Sequence, residues 1–221
     1  MSLFETALTS TQFAQAMVQT LNMVAIALVI GAFAGIFIGI VLVLTRPDGI
    51  MANAYLYRLL NPVVNVIRSL PFIILLVAMI PFTRSIVGTS IGTSAAIVPL
   101  VMYIAPYIAR LVENSLLSVH DGIIEAAEAM GASIWQIVWH FILPEAKASL
   151  ILSLTTASIT LVGASAMAGA VGGGGVGDLA LNYGYQRFDN VAMLITVVTL
   201  VIIVQAMQWT GDYWARKTRQ H

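Results

Sequence analysis

The sequence predicts an all-α integral membrane protein: five transmembrane helices in a single domain, with a helical arm protruding from the bilayer between the third and fourth. Three observations carry this. Of 221 residues, 59% are hydrophobic and only 9% charged, more apolar surface than a soluble domain of this length buries. The mean hydropathy of +0.93 is spread over separate long apolar runs. Between two of those runs lies Glu125 to Pro144, EAAEAMGASIWQIVWHFILP, which is patterned as a hairpin of short helices.

The first span is expected over about 17–44. That is longer than a hydrocarbon core of roughly 30 Å requires, so the helix tilts or projects. No basic segment precedes it, as a cleaved secretion signal would require, so the span is expected to be retained. Gly31, Gly35 and Gly39 recur at every fourth residue along it. They form a face on which another backbone can approach closely, either within the chain or in a second copy. A polar turn, Thr45 to Gly49, and an interfacial segment, Tyr55 to Val66, lead to a second span over about 63–80. Pro71 interrupts that span and frees a backbone carbonyl. Arg68, near its start, either snorkels to the interface or anchors a gate at the mouth of a path.

After a polar loop, Thr83 to Thr93, the third span covers about 95–112. Pro99 and Pro106 lie seven residues apart, on one face. They are either tolerated by their neighbours or bend the helix around a path. The arm follows over about 120–144. Glu125, Ala126 and Ala127 are good helix formers, and Gly131 suits the left-handed residue that ends a helix. Ser133 and Gln136 form a capping box that starts a second helix, with a break expected at Pro144.

The fourth span, about 149–170, is rich in small hydroxyl residues, Thr160 and Ser165 among them. These either bond back to their own helix or line a polar path. Met167 is a candidate hydrophobic constriction there. Gly169 to Gly177 contains a G-x-G-x-x-G spacing, but no strand precedes it, so a loop reading replaces the dinucleotide one. That loop is either flexible or tightly packed and continues through Tyr183 to Tyr185. The fifth span, about 191–209, ends at Trp209, Tyr213 and Trp214, with Arg216, Lys217 and Arg219 beyond.

If the arm is cytoplasmic, eight basic residues (Arg46, Arg58, Arg68, Arg110, Lys147, Arg216, Lys217, Arg219) lie inside, against Arg84 and Arg187 outside. That obeys the positive-inside rule and puts the N-terminus outside and the C-terminus in the cytoplasm. A formal net charge of zero offers no basic field for nucleic acid, and the absence of cysteine removes disulfides and thiolate metal sites. There is no P-loop motif to hold a nucleotide. His120, His140 and His221 have no partner at metal-ligand spacing. Glu125, Glu128, Glu145, Asp178 and Asp189 lie outside the spans, whose centres read as uncharged. An ion-coupled transporter commonly keeps ionisable groups there. These absences leave a conduit whose driving energy is supplied by another subunit. The alternative is an ion-coupled secondary transporter acting alone. An intramembrane enzyme lacks a base to activate Ser158 or Ser165.

The Glu-Ala-Ala arm, with Gly131 and then Leu143-Pro144, resembles the cytoplasmic coupling loop of type I ABC importer permeases. Longer stretches are similar to the methionine-importer permeases of that group: RSLPFIILLVAMIPFTRSIVGTSIG from Arg68, AMGASIWQIV from Ala129, LPEA from Leu143 and SAMAGAVGGGGVG from Ser165. The resemblance implies a permease subunit in the bacterial inner membrane that passes L- or D-methionine, or another small amino acid or derivative. It implies a homodimer, two cytoplasmic ATPase subunits that bind ATP and magnesium, and an extracytoplasmic substrate-binding lipoprotein. It makes Glu125, Ala126, Ala127, Met130 and Gly131 the ATPase-docking residues. Arg68, Pro71, Thr160, Ser165 and Met167 are the candidate residues of a path or gate. The chain itself is expected to hold no cofactor or metal and to catalyse nothing.

Overall fold

The computed structural model describes residues 8–219, so the histidine at position 221 lies outside it. The described residues form helices and no strand: α1 Ser10–Thr45, α2 Ala54–Ser69, α3 Phe72–Ala78, α4 Ile80–Val87, α5 Thr93–Leu117 and α6 Asp121–Ala129 come first. The next, α7, is one 36-residue helix, Ile134–Gly169. Helix α8 is short, Val176–Leu179 continuing as a π turn over Ala180–Tyr185, and α9 is Asn190–Arg219. Helices α1, α5, α7 and α9 are each long and apolar enough to cross a membrane, and the bent pair α2–α3 makes a fifth span if it crosses as one unit.

The core is the packing of α1, α5 and α7. Gly31, Gly35 and Gly39 face α5 of the same chain, which answers the choice left open by their spacing. A Cβ on Gly35 would stand 2.6 Å from the Ala105 carbonyl oxygen, and one on Gly39 2.7 Å from that of Ala109. Only hydrogen at these positions lets the two backbones meet. On the other side of α1, Val29, Phe33 and Phe37 are exposed, as expected of side chains facing lipid. Pro99 and Pro106 are both buried, as prolines accommodated by packed neighbours would be.

The second span departs from expectation. No single helix covers 63–80; α2 stops at Ser69 and α3 leaves at 105° to it. Leu70, forced out of the helical region by the following proline, is extended at φ −81°, ψ 129°, and Pro71 N-caps α3. Tyr55 to Val66 is part of α2, and the polar loop expected from Thr83 starts only after α4, at Gly88.

The break expected at Pro144 is also absent. Residues Ile137–Ile142 form a π turn, and the Leu143 N–H reaches the Val138 carbonyl five residues back. Widening the ladder just before Pro144 absorbs the missing donor and the ring's clash with the preceding turn, so α7 runs through it. The outer glycine loop is the packed alternative. The Gly175 N–H donates to Gln19 Oε1 at 2.9 Å, the Val176 N–H to Thr20 Oγ1 at 2.8 Å, and the Gly92 N–H to the Gly172 carbonyl at 2.8 Å. With those amides bonded to α1, the loop has no free cradle for a phosphate. Residues 176–185, expected as more loop, are helical, and α9 extends ten residues past the expected end of the last span.

Candidate functional site: the protruding arm and the exposed stripe of α7

Local chemistry builds the arm. His120 starts α6 as its N-cap, its Nδ1 accepting from the Gly122 N–H at 3.1 Å. The helix ends in a Schellman motif: the Ala132 N–H donates to the Ala127 carbonyl at 3.1 Å and the Gly131 N–H to that of Glu128 at 2.9 Å. Gly131 has φ +77°, the left-handed conformation its spacing predicts. The capping box is formed in both directions, with the Ser133 N–H donating to Gln136 Oε1 at 2.8 Å and the Gln136 N–H to Ser133 Oγ at 3.4 Å.

Two closures three residues apart fix the tip of the arm. Glu125, Ala126, Met130 and Gly131 are exposed on it. Ala127 is 0% exposed, packed in the cluster that holds Val119, Ile137 and Ile142. Its methyl roots the arm and is not offered to a partner. Trp135 and Trp139, one helical turn apart, are exposed beside Met130 at 69%, 59% and 70%. The i, i+4 tryptophan pair was readable in the sequence.

The five path candidates divide. Thr160 and Met167 share one stripe of α7 with Thr156 and Gly163, and Met167 is 51% exposed. A Cβ on Gly163 would meet nothing within 4 Å. Ser165 is 2% exposed, turned into the fold with its hydroxyl donating to the Val162 carbonyl at 2.8 Å. It lies five residues from Thr160, on another side of the helix, and is corrected out of the stripe. The hydroxyls of Thr155, Thr156, Ser158 and Thr160 likewise donate to carbonyls four residues back, so back-bonding is their common state. Ser115 Oγ meets Ser149 at 3.0 Å and Ser153 at 2.9 Å, joining α5 to α7.

Arg68 and Pro71 sit together at the α2–α3 corner, both exposed. The Arg68 guanidinium lies over the Tyr107 ring at 5.7 Å, and Phe72 meets Tyr103 edge-on at 5.2 Å. The corner is therefore clasped to one face of α5.

Sequence reasoning missed a charged cluster. Arg110 Nη1 donates to Glu113 Oε2 at 2.6 Å, with side chains 15% and 3% exposed. Arg110 Nη2 donates to Asn61 Oδ1 at 2.6 Å and Asn65 Oδ1 at 2.7 Å. Glu113 is buried near the C-terminal end of α5, just beyond the expected span of about 95–112, so the span centres stay uncharged. The Arg-x-x-Glu spacing, which puts both groups on one helical face, was the available signal. The pair is internally neutral, and its arginine ties α2 to α5. No group of three or more metal-ligating side chains occurs among the described residues.

Comparison with known proteins agrees with this architecture. Residues 31–220 match the family described as binding-protein-dependent transport system inner membrane component. A probable D-methionine transport system permease protein MetI of Vibrio cholerae is 50% identical over 199 residues, covering 90% of this chain and 88% of that protein. The D-methionine permease MetI of Escherichia coli K12 is 55% identical over 151 residues, 68% of this chain and 70% of that one. A solved structure of the MetNI methionine ABC transporter, in inward-facing conformations, superposes with a TM-score of 0.92 at 49% identity, covering 95% of this chain and 97% of that chain.

Proposed function

The chain belongs to the family of binding-protein-dependent transport system inner membrane components and is the permease subunit of an ABC importer. From that premise we propose that it passes methionine, as the L- or D-enantiomer, through a path formed between two copies of itself. Two cytoplasmic ATPase subunits bind ATP and magnesium and drive the cycle, and an extracytoplasmic lipoprotein delivers the substrate. The observation that carries the reading is the rigid, exposed tip of the arm, with Glu125, Ala126, Met130 and Gly131 outward and Ala127 holding it to the core.

A single arm per chain requires two chains to engage a pair of ATPases, most simply with twofold symmetry. When ATP closes the ATPases, the arms are drawn together and the spans above them tip. Reversing a 1:99 preference between inward- and outward-facing states takes about 5.5 kcal/mol of differential binding. A loose tip would waste that force; the Schellman closure and capping box make it stiff. Helix α7 continues unbroken from the arm's second limb into the stripe bearing Thr160 and Met167, so a displacement of the arm reaches the path through one rigid rod. The positive-inside count supports an arm and C-terminus in the cytoplasm and an N-terminus outside. The Arg110–Glu113 pair does not favour an ion-coupled mechanism, because Glu113 is already bonded to a guanidinium and offers no free carboxylate to a coupling ion.

The chain contains no cysteine, so single cysteines report cleanly. Met130→Cys and Ala126→Cys should cross-link to a co-expressed ATPase subunit of the transporter, and Ala127→Cys should not. No adduct from the two exposed positions, or equal yield from all three, would defeat the docking assignment.

A further inference from the structure

We propose that the groove between α7 and α9 is a binding site for one anionic phospholipid in the leaflet on the arm's side of the membrane. The groove has a volume of about 550 Å³ and is lined from α7 by Ile151, Leu154 and Ser158 and from α9 by Met207, Thr210 and Trp214. Its wall is closed beneath by the seat of Gly211 on Thr155, where a Cβ would meet the threonine Cγ2 at 2.5 Å.

Charge selects the occupant. At 3.6 residues per turn, Lys147 lies on the same stripe of α7 as Ile151, Leu154 and Ser158, and Lys217 on the same side of α9 as Trp214 and Thr210. The two helices run in opposite directions with these ends together, since Pro144 and Ala148 share a pocket with Thr218 and Arg219. Both apolar stripes therefore run into an exposed lysine at one end of the groove. The Lys217 ammonium lies 5.7 Å from the Trp214 ring, and Trp214, 53% exposed, is of the residue type enriched where a membrane helix meets the headgroups. Neither stripe carries a carboxylate: Glu145 turns to another side of α7, into the neighbouring pocket it shares with Thr218 and Arg219, and Asp212, on the far side of α9, accepts from Gln208 at 2.9 Å. An acyl chain in the groove with its phosphate between two ammonium groups satisfies both features. The stripe of Thr156, Thr160 and Met167 is on the opposite side of α7, about half a turn away, so a lipid here would not enter the path.

The test is native mass spectrometry of the full-length purified chain with phosphatidylglycerol and phosphatidylcholine of identical acyl chains. The intact protein should retain phosphatidylglycerol preferentially. A lysine near an anionic headgroup contributes a factor of about five, so K147A/K217A should reduce that preference about twenty-five-fold. K147R/K217R should keep it, and Arg216→Ala, on the other face of α9, should leave it unchanged. An undiminished preference in K147A/K217A, an equal loss in Arg216→Ala, or displacement of the lipid by soluble glycerol phosphate at comparable concentration would overturn the site.

Discussion

Replacing Glu113 with Gln leaves the partly buried Arg110 guanidinium with neutral amide oxygens and no carboxylate to answer its charge. In the structure Glu113 is 3% exposed and bonded at 2.6 Å. Breaking a buried pair by removing one partner costs about 3–5 kcal/mol, and the bonds to Asn61 and Asn65 place this loss near the lower end. Arg110→Met should be worse, because it strands a buried carboxylate and also removes α2's bonds to α5. That loss matters because Val64 is the only fully buried residue of α2. Replacing both, as R110M/E113M, deletes the charges together and should recover most of the stability lost in Arg110→Met, leaving the cost of the α2–α5 bonds that Arg110 made to Asn61 and Asn65, since apolar replacement of a buried pair is itself often neutral or better. The assay is the melting midpoint of the detergent-purified chain, read as monodisperse protein surviving heating, for the parent, both single variants and the double. A double variant as damaged as the sum of the singles would show that the two groups act independently, refuting the account of a mutually neutralised pair.

Gly131 tests the tip of the arm through backbone conformation, since a Cβ there would meet nothing within 4 Å. Gly131→Asn, which tolerates a left-handed φ, should keep most coupling of ATP hydrolysis to uptake, whereas Gly131→Val should lose about 1–2 kcal/mol of arm stability and uncouple the two; equal behaviour of the two variants would rule out the conformational role. Met167→Ala shortens the exposed side chain on the α7 stripe and should raise passive leak of small solutes through reconstituted vesicles, while Ser165→Ala, turned into the fold, should not. Burial pushes the Asp178 carboxyl above the usual carboxylate range, with the Asn182 amide pulling it partly back. Because the raised value favours the protonated form, this group's contribution to the outer end is complete at acidic pH and is lost as pH rises through the folded pKa. Amide exchange across residues 176–185, corrected for the intrinsic pH dependence of exchange, should show opening becoming easier over that rise in the parent and not in Asp178→Asn.

The arm was legible because its signals are local: a glycine at a helix end, and a serine and glutamine three residues apart, each act on backbone groups within one turn. The glycine stripe of α1 was legible as a packing face, although which helix it meets depends on the path of the whole chain. The failures have physical causes of the same kind. Pro144 ought to stop a helix, but a π turn upstream opened the ladder around it. Pro71 does interrupt its span, yet the sequence does not carry the 105° corner, which is held by Arg68 on Tyr107 and Phe72 on Tyr103. Ser165 was grouped with Thr160 by chemistry, when their five-residue separation already put them on different sides of the helix. Glu113 escaped notice because a charge near the end of a span resembles an interfacial one until its partner three residues back is considered.

The account rests on a conduit that is driven through its arm by a separate ATPase. The most direct measurement is methionine accumulation in proteoliposomes holding this chain alone, or with its ATPase and binding protein, each with and without ATP and with and without an imposed ion gradient. Accumulation should require the full assembly and ATP, and should stop when Met130 and Ala126 are both replaced by bulky acidic residues. Concentrative uptake by the chain alone under an ion gradient would contradict it.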